Sequence, residues 1–154
     1  MVFALAVSAL AVGCKSKDEQ FESVCQIVHH DVVETDDKGA VTLVDYELEW
    51  DPCPGDQFQM VRGGAEFAAC MKKYSNGDYV PVRVLHQWDS RGFYTWDLFQ
   101  VGDCKRAIEE NNEGSYEKSQ ECSDDKSYGV VNGFRCSRRP FADLVKVCPW
   151  MARN

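Results

Sequence analysis

Apolar and polar residues alternate in two neighbouring stretches of the chain, at residues 24–29 and 41–50. A period of two residues is typical of a β-strand with one buried face, and residues 36–39 between the stretches are turn formers. The pattern therefore predicts a β-hairpin. Because successive side chains of a strand point to opposite faces, we expect one of His29 and His30 to be buried and the other exposed, so that they do not share a metal ion.

The register of this hairpin predicts a disulfide. Pairing Thr35 with Ala40 brings Cys25 opposite Trp50, which precedes Cys53 by only three residues. Residues that face each other across a hairpin are close in space. We therefore expect a bridge between Cys25 and Cys53.

A short helix is predicted at residues 65–74. The segment consists mostly of good helix formers, with Gly63 and Gly64 before it and residues 76–77, Asn-Gly, to stop it. We expect this helix to be structural. Residues at a spacing of three or four should face the core, namely Phe67, Cys70, Met71 and Tyr74.

A second hairpin is predicted within residues 77–104. Residues 80–88 alternate in polarity, residues 89–92 form a turn, and a further strand runs to Val101. One register separates the apolar from the polar positions better than the register shifted by one residue. It pairs Trp88 with Tyr94, His86 with Trp96, and Val84 with Leu98.

The same stretch resembles the core hairpin of SH3-like and Tudor-like barrels. It has a Gly-Asp followed by alternating valines and a tryptophan, then a Gly-x-Tyr that opens the next strand. The resemblance implies a small barrel whose clustered aromatic side chains bind peptides, modified lysines or sugars. Plain core packing is the alternative, because aromatic pairs across strands stabilise a sheet without any ligand. The possible ligand surface is His86, Trp88, Tyr94 and Trp96.

The remaining pattern completes a fold class. From Glu121 on, Val130, Asn132 and Phe134 suggest a last hairpin. We predict a β-rich α+β domain over residues 23–154, formed by a small disulfide-stapled antiparallel sheet or an SH3-like barrel with one short helix.

The cysteine content indicates disulfides. Of eight cysteines, Cys14 belongs to the N-terminal segment treated below, and the odd number that remains allows at most three bridges and one free thiol. No Cys-x-x-Cys pair occurs, which argues against a thioredoxin-like site and a zinc ribbon. The candidates are Cys25, Cys53, Cys70, Cys104, Cys122, Cys136 and Cys148.

The positions of the cysteines along the chain favour one further disulfide pairing and leave another undecided. Cys70 and Cys104 bracket the second hairpin, so a bridge between them would join the helix to the sheet. Cys122, Cys136 and Cys148 compete for one further bridge, and the sequence does not decide among them.

The N-terminal segment has the pattern of a secretion signal. Residues 2–13 carry no charge and would span about 18 Å as a helix, short of the roughly 30 Å of a membrane core. This is typical of the apolar region of a signal peptide. No Lys or Arg stands between Met1 and the apolar run, where a signal peptide normally has one. We therefore expect that the start codon lies upstream or that the sequence begins inside the signal.

Residues 10–14, Leu-Ala-Val-Gly-Cys, resemble the lipobox of bacterial lipoproteins. The resemblance implies that residues 1–13 are removed and that Cys14 receives a diacylglyceryl group and a further acyl chain such as palmitate. Residues 14–22 would then be a polar tether. Lys15 after the cysteine favours the outer membrane, facing the periplasm, by similarity to lipoprotein sorting.

Charge and motifs limit the possible functions. The net charge of −8 argues against nucleic acid as a partner and against electrostatic docking on an anionic membrane. No hydrolase, metalloprotease, phosphate-loop or dinucleotide motif occurs, so we expect neither metal nor cofactor. We therefore expect a lipid-anchored binding or structural module that contacts an envelope protein or polysaccharide. The alternative is a periplasmic enzyme, most simply a hydrolase, assembled from distant residues.

Overall fold

The computed structural model describes most of the chain downstream of residue 18. The described ranges are 19–55, 57–88, 94–109, 111–118, 121–127, 130–137 and 143–151. No helix in these ranges has the length and apolar character of a membrane span. Residues 1–18, including Cys14 and the predicted signal peptide, lie outside them.

Seven strands form one antiparallel sheet that curls into a half-barrel. The strands and helices are β1 (Glu19–Thr35), β2 (Val41–Trp50), β3 (Phe58–Gly64), α1 (Ala65–Met71), β4 (Tyr79–Trp88), β5 (Tyr94–Val101), β6 (Cys104–Lys105), β7 (Glu117–Lys118), β8 (Glu121–Ser127), β9 (Val130–Ser137) and α2 (Leu144–Val147). The sheet order is β6-β5-β4-β1-β2-β3-β7, and β8 and β9 form a separate two-stranded sheet. The predicted β-rich class with a disulfide-stapled antiparallel sheet is confirmed, with two short α-helices in the described residues where one was predicted.

The first predicted hairpin is present as β1 and β2. Cys25 lies opposite Trp50, as the register required, although three register shifts between Ile27 and Thr35 leave Thr35 facing Val41. The strand itself begins earlier than expected. Residues 19–22, predicted as the end of the tether over 14–22, belong to β1 and pair with β4.

Tertiary contacts explain the longer strand. Phe21 packs against Trp150, with ring centroids 5.9 Å apart, and every residue from Glu19 to Gln26 has a partner in β4. Because the polar composition of residues 19–22 carries no strand signal, only the neighbouring strand and the C-terminal segment make this part of the chain extended.

The core lies between the sheet, α1 and the C-terminal segment. Trp50 and Trp150 are both buried, with ring centroids 5.1 Å apart. Tyr46 meets Phe67 of α1 edge to face at 5.8 Å. Burial of each large apolar side chain stabilises the fold by about 1.5–3 kcal/mol. The C-terminal residues, from Leu144 through a 3₁₀ turn, therefore close one side of the core rather than forming a loose tail.

The predicted helix is confirmed, but it ends at Met71 rather than Tyr74. Its apolar face matches the expectation, because Phe67 and Met71 are buried and Cys70 and Tyr74 pack against the core. The Tyr74 N–H donates to the Met71 carbonyl, which tightens the last turn and ends the helix.

The second predicted hairpin has the predicted register. In β4 and β5, Trp88 pairs with Tyr94, His86 with Trp96, and Val84 with Leu98. Val80, Val82 and Val84 are buried, as the alternation required. The connection at residues 89–93 lies outside the described residues.

The last predicted hairpin is present as β8 and β9, which pair from Glu121 opposite Ser137 to Ser127 opposite Val130. Val130, Asn132 and Phe134, which suggested this hairpin, all lie inside β9. The bulge between Asp125 and Lys126 falls at Asn132 in this register.

Two disulfides join distant parts of the chain. The predicted Cys70–Cys104 bridge is confirmed and links α1 to β6. The predicted Cys25–Cys53 bridge is wrong, because Cys53 is bonded to Cys148 and Cys25 is a buried free thiol. Cys25 lies in the core between β2 and β4, whereas Cys53 follows β2 in a loop that meets the C-terminal segment.

Candidate functional site

The backbone of β4 and β5 places the four predicted ligand residues in two directly opposite pairs. His86 and Trp96 are directly opposite each other, and so are Trp88 and Tyr94. Their side chains lie outside the described part of the structure. A ligand surface at this hairpin therefore stays a prediction.

The two adjacent histidines differ from the expectation, because both are exposed. A bulge follows Ile27 in β1, and β4 begins only at Tyr79, opposite Gln26, so it does not flank the histidines. His29 Nε2 lies 3.1 Å from an Asp31 carboxylate oxygen.

The exposed half of β1 is an open sheet edge. The last main-chain hydrogen bonds on the β4 side are at Ile27, whose N–H donates to the Asp78 carbonyl (2.9 Å) and whose carbonyl accepts from the Gly77 N–H (2.7 Å). From residue 28 to 35, β2 is the only strand neighbour of β1 among the described residues. Such an edge presents unpaired N–H and C=O groups to solvent. We call residues 28–35 the β1 edge.

The β1 edge is apolar for an exposed strand. Val28, Val32 and Val33 are 36%, 54% and 43% exposed. Natural edges are usually protected by lysine, proline or bulges. Here the register with β2 shifts at three places, Ile27/His29, Val32/Glu34 and Glu34/Thr35, and residues 29–32 stay in regular register.

A cleft of about 520 Å³ lies beside the β1 edge. His30 forms one wall, where it stacks on Tyr46 at 5.3 Å and its Nδ1 lies 3.0 Å from the Asn76 side-chain oxygen. The Tyr46 hydroxyl is held neutral, because burial raises its pKa above the ordinary value. The other principal lining residues are Val32, Val41, Ala68, Lys72 and Tyr74. We call this the β1–α1 cleft.

A second, more open cleft of about 670 Å³ lies on the other side of the hairpin, lined in part by Glu34, Glu109 and Glu113. Arg62, the one cation among the described residues that line it, binds both Asp45 carboxylate oxygens at 2.8 and 2.9 Å. Hydrogen bonding to Asp45 raises the pKa of Arg62. The guanidinium is therefore already paired within the protein.

A buried polar network lies beneath this second cleft. The Arg106 side chain is fully buried, and its Nη2 lies 2.7 Å from a carboxylate oxygen of Glu117. The other Glu117 oxygen accepts from Gln59 (2.6 Å) and from the Leu98 N–H (2.9 Å). Gln59 in turn accepts from the Trp50 indole (3.2 Å).

The role of this network is structural rather than catalytic. Burial raises the pKa of Glu117 to about 7, which is the kind of shift that an enzyme's general acid shows. However, one carboxylate oxygen already accepts two hydrogen bonds and the other is ion-paired with Arg106, and Glu117 lines neither of the two clefts. No local sequence pattern indicated this network, because its members come from four separate strands and a loop.

Thiol and metal chemistry also find no suitable site in the described residues. Burial and the nearby Asp51 carboxylate raise the pKa of the Cys25 thiol, so it is protonated and unreactive. Cys70, Asp103 and Cys104 lie close enough to suggest a metal site. Both of these cysteines are used in a disulfide, so their sulfurs are not available as thiolates.

Compared with protein-family models, with curated proteins and with solved structures, the chain shows no significant match. Its function therefore has to be inferred from the geometry of the chain itself. Among the described residues, the β1 edge is an open strand edge with an adjoining cleft, on a sheet cross-linked by disulfides.

Proposed function

We propose that this protein is a lipid-anchored binding module of a bacterial cell envelope, which holds an extended segment of an envelope protein at the β1 edge. Export is supported by the two disulfides, because such bridges persist in oxidising compartments. Anchoring is supported by the lipobox-like residues 10–14. Several acyl chains on Cys14 would hold the domain stably at the membrane.

The observation that carries the binding proposal is the unpaired β1 edge. A peptide that adds to a sheet edge gains main-chain hydrogen bonds, and side-chain pockets beside the edge give specificity. The β1 edge supplies the main-chain groups, and the β1–α1 cleft supplies a pocket that shares Val32 and His30 with it.

The chemistry of the cleft indicates the kind of segment. Val32, Val41 and Ala68 favour an apolar side chain, while His30 and Lys72 can meet a polar or acidic neighbour. The bulges restrict regular pairing to residues 29–32. The partner is therefore a short extended segment with an apolar residue, bound weakly enough to exchange.

Hydrogen–deuterium exchange on the full-length chain tests this proposal, with a capped hexapeptide of alternating valine and threonine as the probe. Without the probe, we expect the amides of residues 28–35 to exchange faster than those of Cys25 and Gln26, which pair on both sides. Millimolar probe should slow exchange at 28–35 and leave 58–64 unchanged. The same peptide N-methylated at alternate amides should give no protection, because it cannot pair along its backbone.

Two matched variants complete the experiment. Val32→Lys places a charge at the open edge, and we expect it to weaken probe binding at least tenfold. Val24→Lys changes the same residue type in the same strand, at a position that already pairs with Pro81, and should leave binding unchanged. The proposal fails if saturating probe protects no amide in 28–35, or if both variants weaken binding equally.

A further inference from the structure

The hairpin β8–β9 brings two cysteines directly opposite each other. Its register pairs Cys122 with Cys136, and the neighbouring pairs on both sides are regular. Directly opposite residues of antiparallel strands have Cα atoms about 4.5–5.5 Å apart. This lies within the roughly 4.4–6.8 Å over which disulfides form. We infer that Cys122 and Cys136 form a third disulfide, across this hairpin.

The positions of the other cysteines leave Cys122 and Cys136 as each other's partners. Cys53 and Cys148 are bonded to each other, and so are Cys70 and Cys104. Cys25 has no solvent exposure and lies in the core of the main sheet, with Trp50 and Val80 as its neighbours across the strands.

A disulfide would also stabilise this hairpin, which has few other stabilising contacts among the described residues. An isolated two-stranded hairpin is marginally stable in water. The described strands show no pairing of β8 or β9 with the seven-stranded sheet. The sequence of β8, Glu-Cys-Ser-Asp-Asp-Lys-Ser, offers little apolar surface to bury. A covalent link constrains the unfolded segment and thereby favours the paired strands.

The chemistry is thiol–disulfide exchange with a disulfide oxidant of the compartment. The two cysteine thiols lose two protons and two electrons as the sulfur–sulfur bond forms. The oxidant's own disulfide bond breaks, and its two sulfurs take up those protons and electrons as thiols. The inference goes beyond the proposed function and shares with it only the oxidising compartment.

Peptide mapping of the exported full-length chain tests the inference. The protein is denatured in the presence of N-ethylmaleimide, which labels free thiols. It is then digested with trypsin without reduction and analysed by mass spectrometry. Trypsin cuts after Lys126 and Arg135, between the two cysteines, so a bridge leaves two peptides linked. We expect that linked pair, with Cys25 the one labelled thiol downstream of Cys14. Cys122→Ser should add a label at Cys136.

The outcomes separate this inference from the proposed function. Labels on both Cys122 and Cys136, with the other two bridges intact, would overturn the third disulfide and leave export supported. A linked peptide that joins Cys25 to either residue would also overturn it. Labels on all seven cysteines would overturn the third disulfide and remove the support for export together. The double variant C122S/C136S should return to one label, which controls for disulfide exchange during handling.

Discussion

At the scale of single residues, the buried Glu117–Arg106 pair determines how stability depends on pH. Burial raises the pKa of Glu117 from about 4.5 in the unfolded chain to about 7. Between these values the folded protein binds more protons than the unfolded chain, so the free energy of unfolding falls as pH rises. The shift corresponds to about 3 kcal/mol at most.

Urea unfolding at pH 5, 6, 7 and 8 measures this effect. We expect the wild-type protein to lose stability across this range, and Glu117→Gln to remove most of the dependence. Glu113→Gln replaces an exposed carboxylate in the same region and should retain the wild-type slope. A wild-type free energy of unfolding that rises from pH 5 to 8 would contradict the assignment.

At the scale of elements, the approach of α1 to the sheet depends on Gly63. A Cβ at this position would overlap the ring of Phe67, which is buried at the start of the helix. Overpacking of this kind typically costs about 1–3 kcal/mol. The helix position is thus fixed by the absence of one side chain in β3.

Gly63→Ala should therefore lower the free energy of unfolding by about 1–3 kcal/mol in urea titrations. The neighbouring Gly64 is a matched control, because a Cβ there meets no atom within 4 Å. Gly64→Ala should cost less than about 1 kcal/mol, mainly through the helix N-cap. Equal losses for the two variants would show that the Phe67 contact is not the cause.

The same scale shows what the sequence could and could not predict. The register of β4 and β5 followed from alternation, because Val80, Val82 and Val84 all face one core. The start of β1 did not, because residues 19–22 are extended only through β4 and Trp150.

At the scale of the whole molecule, long-range contacts decide what local patterns leave open. The partner of Cys53 is 95 residues away, and its position depends on the packing of Leu144, Trp150 and Met151 into the core. The β1 edge likewise exists because β4 begins at Tyr79, so the exposed His30 is a consequence of strand lengths. Neither feature has a local signal in the sequence.

The most direct test of the central claim is the intact mass of the protein extracted from membranes with detergent and alkylated without reduction. We expect a chain that begins at Cys14, carries added acyl mass, and has one alkylated thiol. A chain that retains residues 1–13, carries no acyl mass and is alkylated at every cysteine would contradict export, anchoring and the disulfides at once.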